Sequence, residues 1–294
     1  MKKPVLSLLT ASFLVLAVLA LGSFAAEEDP AYWIDYMRQG GSAVRKKARA
    51  ALYEMGPIAV PTLIDATRDE ADFIRWEAVN ALGTIANEHL EAVAPALPAL
   101  VERVLTDRDS HVRWRTLVSV AVFPDEVVAE RVLPLFREGL ENDDATIAWN
   151  AVVGLAYFAQ PDVVSLLNRG VLENEGFARF EAVSCLHMVH NEESVLVLAE
   201  LITDTETTTE SVRQEAAMTL RAIGDSRAVP ALLSALEDPV AGVRARVAAT
   251  LAKLAGVDAL AAIEAALAKE TDDYAIEQMQ WAIEQLKGKA ASTQ

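Results

Sequence analysis

The chain has 294 residues, 52% of them hydrophobic, with 26 basic against 43 acidic side chains and a single cysteine. That length is ample for a sizeable core in one extended or two compact domains, and the dominance of alanine, valine and leucine over 13 glycines and 11 prolines favours helix over sheet. A net charge of −17 repels phosphate backbones and anionic headgroups, which disfavours nucleic acid as a partner, and a lone Cys185 permits no internal disulfide, so the core alone must hold the fold.

The chain opens on MKK, continues through the apolar run FLVLAVLALG (Phe13 to Gly22) and reaches small residues at Ser23 and Ala25. This three-part pattern is that of a secretory signal peptide over 1–25, cleaved after Ala25 or Ala26. The expected mature protein is periplasmic or secreted, with a short tail over 26–29 and a net charge of −19 once Lys2 and Lys3 are removed. The alternative, an uncleaved leader anchoring the protein in the inner membrane, is weakened by Ser7, Thr10 and Ser12, because a spanning helix wants about 20 apolar residues.

From Pro30 onward the chain is self-similar. Val44, Ile74, Val112, Ile147, Ala178, Val212 and Val243 each start a helical pattern in which Arg usually follows, and Leu52, Leu82, Val120, Leu155, Leu186, Leu220 and Leu251 stand eight residues on. Successive units are separated by 30 to 38 residues, the spacing of a solenoid of helical hairpins in which no unit buries its apolar face alone. A second helix precedes each patterned one and often carries Pro in its first turn, as in VPTLI (60–64), LPALV (97–101), LPLFR (133–137) and VPALL (229–233), where the missing N–H costs nothing.

At these residues the chain resembles a known family. RAIGDSRAVPALLSALEDPVAGVRARVAATLAKLAG (221–256) is similar to a HEAT repeat of the short type also found in phycobilisome-lyase-like proteins. The resemblance covers about eight units over 30–288, leaving 289–294 as a disordered tail, and it implies an all-α, right-handed α-solenoid. Its Pro-containing helix A would lie on the convex side and its Val-Arg helix B on the concave side. The resemblance further implies a ladder in which a turn Asp bonds an Arg six residues on. Asp69 and Arg75, Asp107 and Arg113, and Asp238 and Arg244 keep that spacing, and Glu173 with Arg179 keeps the charges. Asn142 and Ala148 do not, so an interruption is expected there. TDTETTTE (203–210) reads as a solvated insertion at one such turn.

Successive residues on a helix turn by about 100°, so positions 0, 4, 7 and 8 of helix B form the seam against helix A and position 2 falls opposite. Position 2 holds Lys46, Trp76, Trp114, Trp149, Phe180, Gln214 and Ala245, the middle four of them aromatic. Val118, Val153, Tyr157 and Met188 extend the stripe, and Glu77, Arg115, Asn150 and Glu181 at position 3 are expected to border it with charge. Large apolar patches with polar rims mark interaction sites; the competing reading makes these rings wedges between neighbouring B helices.

No phosphate-binding loop, nucleophile elbow, zinc-protease motif or paired-cysteine pattern is present in the sequence. The HMVH stretch (187–190) is better read as a helix-end His pair than a metal site, and Cys185 as a small buried thiol. The expected function is therefore non-enzymatic, without cofactor or metal: a scaffold that holds a peptide or partner domain in the aromatic groove, with Trp76, Trp114, Arg115, Val118, Trp149, Val153, Tyr157, Phe180, Glu181 and Met188 as its lining. Acidic residues on the A helices, among them Asp65, Glu102, Glu138, Glu200 and Glu264, read first as a solvated convex face, whose contribution to binding would be long-range steering of a basic partner. The alternative is a lyase-like or carrier protein with an aromatic cofactor in the same groove.

Overall fold

The structure, a computed structural model, describes residues 28–292, with side chains through 289. The leader and its cleavage site lie outside these residues. Among the described residues every regular element is helical, and eight A/B hairpins follow one another. They are α1 (Pro30–Arg38) with α2 (Ser42–Met55), α3 (Val60–Ala66) with α4 (Asp72–Ala86), α6 (Leu97–Thr106) with α7 (Ser110–Val120), and α9 (Leu133–Leu140) with α10 (Ala145–Tyr157). Then come α11 (Val164–Glu173) with α12 (Gly176–Cys185), α13 (Glu192–Thr203) with α14 (Glu210–Ile223), α15 (Val229–Ser234) with α16 (Ala241–Leu254), and α17 (Leu260–Leu267) with α18 (Asp273–Ser292). Short helices α5 (Leu90–Val93) and α8 (Asp125–Arg131) precede the third and fourth hairpins. The chain divides into two compact units, one ending at Ala151 and the other starting at Val152.

Local chemistry sets the ends of these helices. Pro61, Pro98, Pro134 and Pro230 each occupy the second position of an A helix, where no backbone donor is lost. Asp109 caps α7 by accepting the His111 N–H at 2.7 Å, and Asn191 and Ser194 form a reciprocal capping box at the start of α13. Gly224, with φ 86°, ends α14 in the left-handed conformation that glycine tolerates. Helix α18 continues through Ser292.

The A/B seams are the core. In the first unit Leu52, Ile74, Leu82 and Val120 are 0% exposed, and in the second Leu155, Leu186, Leu220, Val243 and Leu251 are equally sealed. Each such side chain contributes roughly 1.5–3 kcal/mol of apolar burial. Val44, Ile147 and Ala178 are only half-buried. Adjacent B helices approach closely at Gly83 of α4, where an added Cβ would stand 2.6 Å from Ser119 Cβ of α7.

The ladder exists in a register different from the expected one. Arg75 donates from Nε and Nη2 to the Asp107 carboxylate of the next hairpin at 2.7 and 2.8 Å, while its Nη1 reaches the carbonyls of Asp69 and Glu70 at 2.9 and 3.0 Å. Arg113 likewise touches the Asp107 carbonyl. In the second unit Arg213 pairs with Asp238, and Arg244 pairs with Glu270 while donating to the Asp238 carbonyl. The Arg six residues on thus takes the turn residue's backbone, and the carboxylate belongs to the Arg of the preceding hairpin. Asp69 also pairs with the preceding hairpin, but through Arg38 at the end of helix A rather than through the B-helix Arg45. Burial pushes the Asp69 carboxyl up, but the Arg38 guanidinium and the Ala71 N–H outweigh it and hold it below its ordinary value.

Each carboxylate also closes its own turn, accepting an N–H two residues on: Ala71 for Asp69, Asp109 for Asp107 and Val240 for Asp238. Asn142 keeps this turn bond, to Asp144, without the charge. Arg179 does not pair with Glu173; it donates to the carbonyls of Leu172 and Asn174. The 203–210 insertion is an organised turn, in which Asp204 accepts the N–H groups of Glu206 and Thr207 and Thr208 is 4% exposed.

Candidate interaction site

In the first unit Trp76 on α4, Trp114 on α7 and Trp149 on α10 occupy one equivalent position of three B helices, and all three are half-buried. Val118, one turn beyond Trp114, is 42% exposed. Trp76 lies between two cations: the guanidinium carbons of Arg49 and Arg115 stand 6.0 and 5.8 Å from ring centroids of its indole. Asn80, below Trp76, is buried and donates to Tyr53 Oη at 2.6 Å. In the second unit Tyr157, Phe180 and Met188 are also half-buried.

Two expected lining residues are inside rather than at the surface. Val153 is 4% exposed and Glu181 is 2% exposed, so neither presents a face to a partner. Position 3 is not a rim: Glu77 and Asn150 are buried as well. The reason is the packing of one hairpin on the next. Glu77 accepts from Arg49 of the preceding B helix, Asn150 donates to the Leu105 carbonyl of α6 at 2.9 Å, and Arg246 at the same position reaches back to Gln214. Hydroxyls at position 7 make the same step, Thr219 to the Val183 carbonyl and Thr250 to the Ala217 carbonyl. At Glu77, Asn150 and Arg246 position 3 is therefore a seam between hairpins, whereas Arg115 at the same position is half-buried beside Trp76.

Features that the sequence pattern missed lie on B helices of the second unit. Met218 of α14 is 45% exposed and Trp281 of α18 is 38% exposed, with the Arg221 guanidinium 5.8 Å from a Trp281 ring centroid. The last hairpin has no Val-Arg start, so Trp281 fell outside the alignment of seven units. Cys185 is 0% exposed, and burial pushes its thiol well above the ordinary value, which leaves no reactive thiolate. Among the described residues no helix is long and apolar enough to cross a membrane.

A family model for HEAT repeats matches residues 30–121 and 205–284. No curated protein matches the sequence. Among solved structures, the Escherichia coli protein YibA aligns with a TM-score of 0.56 at 18% identity, over 91% of this chain and 96% of its own. Human deoxyhypusine hydroxylase in complex with glycerol aligns at 0.38 and 22% identity over 92% and 99% of the two chains. Kap95p, from a structure with RanGDP, aligns at 0.48 and 14% identity over 86% of this chain and 39% of its own. The likeness to YibA is one of fold. With its family match spanning more than half its length and its A/B hairpins tied by a shared arginine–carboxylate register, the chain belongs to the HEAT-repeat family.

Proposed function

We propose that the protein is an exported, non-enzymatic scaffold that binds a peptide or partner domain on its B-helix layer, centred in the first unit on Trp76, Trp114, Trp149 and Val118. One observation carries this reading: three B helices hold a partly exposed indole at one equivalent position, beside a Val118 that is 42% exposed. A folded monomer gains little from holding several large rings partly in water, whereas Trp is among the residue types that dominate binding at interface centres. Arg115 stacks on Trp76 and supplies a charged neighbour that adds selectivity. Export rests on the leader pattern of the first 25 residues.

Affinity isolation from the cell envelope, with wild type and a Trp114→Ala/Trp149→Ala pair compared at equal helicity by circular dichroism, tests both parts. Enrichment of one polypeptide by wild type alone is the expected result. Equal enrichment by both proteins would remove the tryptophan row from the function, and recovery of the protein from the cytoplasm with its leader intact would remove export.

A further inference from the structure

We propose that the segment which docks on the tryptophan row of the first unit is acidic, carrying carboxylates beside apolar side chains. This rests on the reading above that the row is a docking surface, and it adds the sign and chemistry of the partner.

The chain as a whole is acidic, at −17, yet the Trp76 end of the row is met by Arg49 and Arg115, and the preceding B helix exposes Lys46 and Lys47. Helix α2 places Arg45, Lys46, Lys47 and Arg49 within five residues, and Lys46 sits at the position that Trp76, Trp114 and Trp149 hold on later B helices. Lys46 and Lys47 are exposed. The neighbouring cations rest on rings: Lys47 Nζ is 5.4 Å from a Trp33 ring and 5.7 Å from Tyr36, Arg45 Cζ is 5.8 Å from Phe73, and Arg49 and Arg115 flank Trp76. Among the described residues Arg115 has no ion-pair partner, and its buried Nε has no acceptor. The carboxylate beside Trp76, Glu77, is buried and taken by Arg49. Asp72 and Glu54 lie near helix ends, at the first residue of α4 and the penultimate residue of α2.

A cation held against an aromatic face keeps its charge and its outward N–H groups, and it has less rotamer freedom to lose when a carboxylate arrives. Acid at long range is repelled by the net charge. Within the Debye length of about 8–10 Å, the local cations decide the sign. The acidic A-helix residues that suggest a basic partner are in part already neutralised: Glu102 pairs with Arg68 and Arg103, and Glu264 pairs with Lys287.

The test uses three synthetic peptides of one length that alternate Leu or Phe with Glu, with Gln or with Lys, titrated into the purified protein by calorimetry at low and high salt. The Glu peptide is expected to bind tightest and the Lys peptide weakest. Lys46→Glu/Lys47→Glu is expected to cut the Glu peptide's affinity by at least about ten-fold without loss of helicity, since both side chains are exposed. Should that pair misfold, Lys46→Gln/Lys47→Gln carries the same comparison. Equal binding of the Glu and Gln peptides, lost in Trp114→Ala/Trp149→Ala, would overturn the acidic sign and leave the docking surface standing. A preference for the Lys peptide, or no binding by any of the three, would also overturn it.

Discussion

Arg75 shows how a single side chain ties two hairpins. Its guanidinium is 6% exposed and holds the wholly buried Asp107 carboxylate while capping the carbonyls of its own turn. Arg75→Ala leaves that buried carboxylate with only Arg103, 3.8 Å away, and the Asp109 N–H, and is expected to lower stability by about 3 kcal/mol in chemical denaturation. Arg75→Lys cannot reproduce the two-pronged contact and should fall between that variant and wild type. The half-buried Trp114 gives the opposite expectation: Trp114→Ala should cost less than the roughly 3–5 kcal/mol of a sealed aromatic. A loss of that full size would identify the ring as a wedge of the core.

At the scale of the element, the B helices are ordered by what separates them. Gly83 of α4 is one point of closest approach, with Ser119 Cα of α7 only 2.9 Å from where a Cβ would be. The clash includes backbone, so Gly83→Ala should push the two helices apart and lower stability by about 1–3 kcal/mol, read from its urea midpoint. The last rung behaves differently with pH. Hydrogen bonds from Arg244 hold the Glu270 carboxyl down to about 2, against the cost of its burial and with help from the N–H groups of Asp272 and Thr271. A depressed carboxylate stabilises the fold fully above its unfolded value of about 4.3, and that stabilisation disappears as pH falls toward 2. Glu270→Gln should therefore be less stable than wild type at pH 7, with the gap closing between about pH 4.5 and 2.

These elements also show what the sequence could carry. The hairpins, their prolines and the aromatic position follow from periodicity, because a helix of 3.6 residues per turn leaves its faces legible in one strand of text. The ladder's register does not, since a six-residue spacing from Asp69 to Arg75 fits contact with the carboxylate or with the carbonyl equally well. Stacking of one hairpin on the next decides between them. Position 3 was misread for the same reason. Glu77 and Glu181 look like a charged border on an isolated helix, and only the neighbouring hairpin turns them inward. Trp281 was missed because its helix lacks the Val-Arg start that set the alignment.

At the scale of the whole molecule, net charge and local charge point to different partners. The sum of −17 governs solubility and distant encounters, while Trp76, the first indole of the row in the first unit, is flanked by Arg49 and Arg115. HEAT folds serve many unrelated functions, so the family fixes the scaffold and the surface must supply the specificity. The claim on which the account turns is that this B-layer surface is met by another polypeptide. Incorporation of a photo-crosslinking amino acid at Val118, 42% exposed in that layer, tests it in living cells against a control at Ile58, 71% exposed just ahead of helix α3. The account predicts one discrete adduct from position 118 that is absent from position 58. The same pattern of adducts from both positions, or none from position 118, would contradict it.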